Sequence, residues 1–336
     1  MESSHINPKL RRQKASIDIE ALFESIQQGN ISALSQAITL VESTAGKDSA
    51  FAKAILGKAL PYSGDSFRLG ITGVPGVGKS TFIESLGSTL IESGRKVAVL
   101  AIDPSSSITR GSILGDKTRM EELVKSEKAF IRPSPAGTTL GGVARKTREA
   151  IVLCEAAGFD FIIIETVGVG QSETAVHSMT DFFLLLKLAG AGDDLQGIKR
   201  GIMEMADMIV INKADGENQT AAKHAKREFQ NALHLLPEKE HGWSTKVLTA
   251  SGLNHLGIEE VYQKITEFQN YTNESGSFEN RRNNQELFWL HQTIEDQLKS
   301  EFYNRPEIQL LIEKLERQVL EKKITAFEAA ERLLKS

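Results

Sequence analysis

GVPGVGKST, residues 73–81, decides how this chain is read. Gly73, Val74, Pro75, Gly76, Val77, Gly78, Lys79, Ser80 and Thr81 fit the pattern G-x-x-x-x-G-K-[ST] at every position. The context is the one the pattern needs, with a short apolar run before it (69–72) and a helical pattern after it (82–91). Glycines let the backbone curl so that successive N–H groups point at phosphate oxygens, and the helix N-terminus adds its positive end. In this role Lys79 reaches the β- and γ-phosphates and the Ser80 hydroxyl ligates Mg²⁺.

Outward from the loop, short apolar runs alternate with helical segments at 68–71, 97–102, 130–131, 161–164, 182–186, 208–211 and 247–248. The runs are nearly all apolar rather than alternating. That pattern predicts strands buried on both faces, in a mostly parallel sheet with helices on both sides. Residues 17–60 read as three helices, the third over 50–60. Residues 65–270 form the α/β domain, preceded by a helical extension (1–64) and followed by helical stretches within 271–336. The polar run 270–284 reads as a linker or an exposed helix start. The helices beyond it either pad the main domain or form a dimerisation arm, and the arm is the reading preferred here.

Asn212-Lys213-Ala214-Asp215 closes the apolar run 208–211. A carboxylate at Asp215 accepts from both N1–H and N2–H of guanine, whereas adenine offers no matching donors and would leave it unpaired. Downstream of a phosphate loop, this favours GTP over ATP, with the Lys213 stem along the base plane. A second base contact, from backbone N–H to guanine O6, is expected at Ser251, Gly252 and Leu253. Gly252 stands where many GTPases have alanine, a tolerable departure for a backbone contact.

Glu165 and Gly168, at the end of the run 161–164, stand where GTPases carry D-x-x-G. The acid holds Mg²⁺ through water and the glycine N–H meets the γ-phosphate. Val169 occupies the place of the water-orienting glutamine of Ras-like proteins, so slow intrinsic hydrolysis is expected. Asp103 ends the run 97–102, where parallel sheets place ligands, and reads equally as a turn or cap residue; Asp116 reads by itself as a helix N-cap.

Composition excludes other classes. The chain has 336 residues, 40% apolar and 25% charged, which rules out disordered, collagen-like and coiled-coil chains. A net charge of −4 supplies no global field for nucleic acid. One cysteine excludes an intramolecular disulfide, and the seven histidines include no i, i+4 pair. No run approaches a membrane span and the N-terminus lacks a secretory core, so a cytoplasmic protein is expected.

The strings GVPGVGKST, AIDPSSSITRGSILGDKTRM (101–120), IIETVGVGQSE (163–173), GAGDDLQGIKRGIMEMAD (190–207) and NKAD together resemble the MeaB/ArgK family. These are GTPases associated with methylmalonyl-CoA mutase, related to the human methylmalonic aciduria type A protein, and the resemblance spans essentially the whole chain. It implies a signal-recognition-like P-loop GTPase domain with a C-terminal arm that makes a homodimer. It also implies a chaperone that uses GTP hydrolysis to gate adenosylcobalamin delivery to the mutase and to protect or reactivate it, without carrying cobalamin. Ser80, Asp103, Asp116 and Glu165 would match the family's magnesium environment. Residues 190–199 resemble a partner-responsive switch, with Lys199 stabilising transition-state charge; from the residues alone Lys199 is an ordinary surface lysine. Isobutyryl-CoA mutase is the next partner in line, and an amino-acid transport-system kinase is an older reading attached to the family.

Overall fold

The computed structural model describes residues 17–43, 45–102, 120–133, 140–166, 172–190, 200–239 and 241–336. Three helices lead: α1 (Ile19–Gln27), α2 (Ile31–Glu42) and α3 (Gly46–Ala59). Asp18 caps α1 by accepting from the N–H groups of Glu20 and Ala21, and Asn30 caps α2 by accepting from Ala33 N–H at 3.0 Å. Such caps are each worth about 1 kcal/mol. α3 starts four residues before the expected position. Its apolar pattern begins at Ala50, but Ser43 donates to Asp48 at 2.6 Å and fixes the first turn earlier.

The sheet follows: β1 (Phe67–Gly73), α4 (Lys79–Glu92), β2 (Val97–Ile102), α5 (Glu121–Lys125), β3 (Ala129–Arg132), α6 (Leu140–Ala156), β4 (Phe161–Thr166), α7 (Ser172–His177), β5 (Phe182–Leu188), α8 (Arg200–Met205), β6 (Met208–Asn212), α9 (Gln219–Leu233), β7 (Lys246–Thr249) and α10 (Ile258–Glu274). The seven strands are all parallel, in the order β3-β2-β4-β1-β5-β6-β7. Every residue of β1, β2, β4 and β6 is buried, which is why β2, β4 up to Ile164 and β6 up to Ile211 read as unbroken apolar runs.

Register shows that both faces are covered. Gly70 pairs with Phe183, and on that face Val176 of α7 leaves no room for a side chain at position 70. Leu69 pairs with Phe182, and on the opposite face Phe182 meets Phe268 of α10 edge-on at 4.8 Å. α2 and α3 pack against α6. α9 lays Ala222, Ala225 and Phe229 on Ile209, Ile211 and Val247.

The amino-terminal end of the sheet, opposite the phosphate loop, is fastened by buried ions. Glu155 accepts from Arg68 Nε (3.0 Å) and Nη2 (2.9 Å) and from Gly64 N–H (2.8 Å), so the charge is paired and its lone pairs are used. Asp207 takes Phe183 N–H at 2.9 Å and Lys239 Nζ at 2.7 Å.

The chain divides into two compact units, Met1–Ser275 and Gly276–Ser336. The polar run 270–284 is helical on both sides of Gly276, with α10 running to Glu274 and α11 starting at Ser277. The second unit consists of α11 (Ser277–Tyr303), α12 (Pro306–Leu320) and α13 (Ala326–Leu334). On α11, Leu287, Leu290, Ile294 and Leu298 follow one another at helical spacing and are all exposed. Among the described residues no helix is long and apolar enough to cross a membrane.

Candidate nucleotide-binding site

β1 lies between β4 and β5, and from it the strand order runs outward in opposite directions. Parallel sheets open a crevice at such a switch point, beyond the carboxyl ends of the strands. Thr72 and Thr166, at the ends of β1 and β4, share a hydrogen bond of 2.8 Å and hold the floor of this crevice together. Residues 74–78 span from β1 to α4, whose first residue is Lys79. Val74, Pro75 and Gly76 are exposed, whereas Val77 is fully buried and anchors the loop. Gly78 has φ +91°, and a methyl carbon added there would lie 2.9 Å from Asn212 Nδ2, so both conformation and space call for glycine.

Lys79 is buried, and its ammonium donates to the carbonyls of Gly73 (2.8 Å) and Val74 (3.4 Å). Desolvation pushes its pKa below the ordinary lysine value, and the nearby carboxylates of Glu165 and Glu173 oppose that shift. Glu165 is the fifth residue of β4, in register with Ile71 of β1 and Ala101 of β2, and is 7% exposed. Ser80 is half-buried and Thr81 exposed on the first turn of α4.

The second half of the site is bonded directly to the first. Asn212, at the end of β6, donates through Nδ2 to Val77 O at 2.9 Å and accepts through Oδ1 from Gly252 N–H at 3.2 Å. It is thus a strut between the phosphate loop and the loop after β7. Lys213, with φ +56°, reaches back to donate to Gly76 O at 2.9 Å. Asp215 accepts from the Ser251 hydroxyl. Ala214 N–H donates to Ala250 O and Ala250 N–H to Ile211 O, both at 2.9 Å, which zips the two base-side loops together. Gly252 packs so closely on α4 that a methyl carbon there would lie 2.8 Å from Phe82 Cα. Leu253 stands exposed at the tip of the loop.

Asp103, Asp116, Gly168 and Lys199 lie outside the described residues. Ser80 and Glu165 offer a hydroxyl and a carboxylate, hard oxygen donors of the kind Mg²⁺ takes, so the residues present fit that ion. Three contacts were not foreseen from sequence: the Ser251–Asp215 bond, Glu173 beside Lys79, and a bond between His255 and Ser85 at 2.7 Å. Each joins residues distant in the chain at ordinary polar positions, and no spacing rule marks them.

Comparison with known proteins agrees with this geometry. The family described as Methylmalonyl Co-A mutase-associated GTPase MeaB matches residues 34–307. A putative GTPase of Caulobacter vibrioides is 49% identical over 318 residues, 95% of this chain and 97% of the relative. GTPase ArgK of Escherichia coli is 49% identical over 85% of this chain and 88% of its own length. The mitochondrial methylmalonic aciduria type A homolog of Mus musculus is 44% identical over 95% of this chain and 79% of its own length. Among solved structures, that of an LAO/AO transport system kinase superposes with a TM-score of 0.77 at 37% identity, over 96% of this chain and 99% of that one. With its phosphate loop at the switch point of a parallel sheet and relatives of this similarity along most of its length, the chain is a P-loop GTPase and belongs to the MeaB family of methylmalonyl Co-A mutase-associated GTPases.

Proposed function

We propose that this protein is a GTP-dependent chaperone for an adenosylcobalamin-dependent acyl-CoA mutase, with methylmalonyl-CoA mutase as the partner. It gates loading of the cofactor and protects or reactivates the mutase. The observation that carries this reading is the bonded pair of half-sites, phosphate loop to N-K-x-D, in a chain of the MeaB family. Relatives named for methylmalonic aciduria type A support the choice of mutase.

The chemistry assigned to the chain's own groups follows. On nucleotide binding, Lys79 exchanges the carbonyls of Gly73 and Val74 for phosphate oxygens, and the N–H groups of residues 76–81 face the phosphates. Asp215, oriented by Ser251, accepts from guanine N1–H and N2–H, and the N–H groups of the loop at 251–253 are directed to O6. Ser80 and Glu165, with Asp103 and Asp116, would hold Mg²⁺, which when bound neutralises charge on the β- and γ-phosphates. Gly168 meets the γ-phosphate, and Lys199 stabilises transition-state charge once the mutase docks. Hydrolysis is slow alone and faster with the partner. The second unit makes a homodimer through the exposed apolar row on α11.

The test is GTP turnover by the purified protein, alone and with methylmalonyl-CoA mutase, with ATP as the control nucleotide. GTP-selective turnover that rises with mutase is the expected result. Turnover unchanged by this mutase and raised by isobutyryl-CoA mutase would reassign the partner. A second reading, protein kinase, is favoured by the similarity to the LAO/AO transport system kinase at 37% identity. It requires stable transfer of the γ-phosphate to another protein, which radiolabelled GTP and ATP in the same assay would reveal.

A further inference from the structure

The loop after β7 is held at more points than a backbone contact to a base requires. It closes on itself, with Ser251 N–H donating to Leu256 O at 2.9 Å and Leu256 N–H to Ser251 O at 3.1 Å. Within this ring, His255 sits in the left-handed region at φ +55°, a conformation that costs a side-chain-bearing residue energy. Its Nδ1 lies 2.7 Å from the hydroxyl of Ser85, which is 1% exposed and six residues along α4 from Lys79. Gly252 touches the same helix a turn earlier, at Thr81 and Phe82. From His255 a run of bonds leads to the base side of the site. The neighbouring Asn254 N–H donates to Ser251 Oγ at 3.2 Å, and that hydroxyl donates to Asp215.

We propose that His255 is a positioning residue for guanine recognition: by clamping the loop to Ser85 of α4, it fixes the base-reading groups relative to the helix that carries Lys79 and Ser80. A nucleotide has a set distance between base and phosphates. A site whose two halves are locked at that distance binds it without ordering either half. Releasing His255 frees residues 252–255, loosens the Asn254–Ser251–Asp215 run, and lets Gly252 N–H drift. The inference rests on the assignment of Asp215 and residues 251–253 as the guanine reader.

Three variants separate the clamp from backbone strain. His255→Gly removes the imidazole and tolerates the positive φ. His255→Asn also tolerates it and carries a side-chain amide where Nδ1 stood. Ser85→Ala removes the partner. The readouts are release of fluorescently labelled GDP, KM and kcat for GTP, and the affinity ratio of GTP to ITP, which lacks the N2 amine. His255→Gly and Ser85→Ala are each expected to speed GDP release about three- to tenfold, the worth of one net hydrogen bond. The loss should fall on KM rather than kcat, the GTP-to-ITP ratio should shrink, and the double variant should be no worse than either single one. His255→Asn should restore most of the loss. GTP preference over ATP in the unaltered protein, with release and the ITP ratio unmoved in both His255→Gly and Ser85→Ala, would overturn the inference while leaving the guanine reader standing. No preference for GTP over ATP in the unaltered protein would overturn the reader assignment, and this inference with it.

Discussion

At the scale of single residues, base recognition is proposed to rest on Asp215 and phosphate binding on Lys79. Asp215 accepts from the Ser251 hydroxyl and, in the proposed reading, would accept from N1–H and N2–H of guanine. Asp215→Asn turns one acceptor into a donor that meets the N2–H donor of guanine, so GTP affinity should fall by about 100-fold. Xanthosine triphosphate, which has a carbonyl in place of that amine, should recover much of the loss; a titration of both nucleotides checks this. Lys79 is the group proposed to supply charge for the β- and γ-phosphates. Its buried ammonium already donates to two loop carbonyls, so Lys79→Ala removes both a loop brace and a phosphate ligand. Calorimetry should detect no GTP or GDP binding by that variant. Both residues were legible as candidates because spacing alone exposes G-x-x-x-x-G-K-[ST] and N-K-x-D. Asn212 is different. Its amide spans 2.9 Å to Val77 and 3.2 Å to Gly252, a strut that only juxtaposition of β6, the phosphate loop and the β7 loop creates.

At the scale of elements, strand burial is what made the sheet readable. A strand covered on both faces has no solvent side on which to place polar residues, so β2, β4 and β6 are nearly pure apolar runs. Boundaries were less legible. α3 begins at Gly46, where a Ser43–Asp48 bond fixes the first turn, and the polar run after 270 is helix broken only at Ser275 and Gly276, since exposed helices need few apolar residues. The β7 loop shows the same limit. In the sequence Gly252 is a tolerable substitute for alanine. In the fold it has no room for a side chain, since a methyl carbon would lie 2.8 Å from Phe82 Cα and 2.9 Å from Phe82 N. Gly252→Ala should therefore destabilise the protein by about 1–3 kcal/mol, the usual cost of overpacking, and weaken guanine-nucleotide binding as well. Urea unfolding and a GDP titration on the same variant measure the two effects.

At the scale of the whole molecule, the first unit is closed from below by buried charge. Arg68 and Glu155 are paired with their side chains 10% and 2% exposed. Glu155→Ala leaves the Arg68 guanidinium buried without its carboxylate and should cost about 3–5 kcal/mol in urea unfolding. The second unit carries a different expectation. Its exposed row Leu287, Leu290, Ile294 and Leu298 is the surface assigned to the dimer, so sedimentation at micromolar concentration should give twice 36.9 kDa. Replacing Leu290 and Leu298 by Gln should return the mass to 36.9 kDa, and a single-chain mass for the unaltered protein would refute the arm.

The phosphate loop, the N-K-x-D motif, the parallel sheet and the family can all be read along the chain, because each depends on local spacing or on the apolarity that burial on both faces demands. How the two half-sites meet emerges only on folding: Asn212 and Lys213 bond to the phosphate loop, Ser251 to Asp215, and His255 to Ser85. These pairs lie 36 to 170 residues apart in the chain. Their partners are backbone carbonyls and ordinary polar side chains, whose pairing is fixed only when parallel strands bring their carboxyl ends to one end of the sheet.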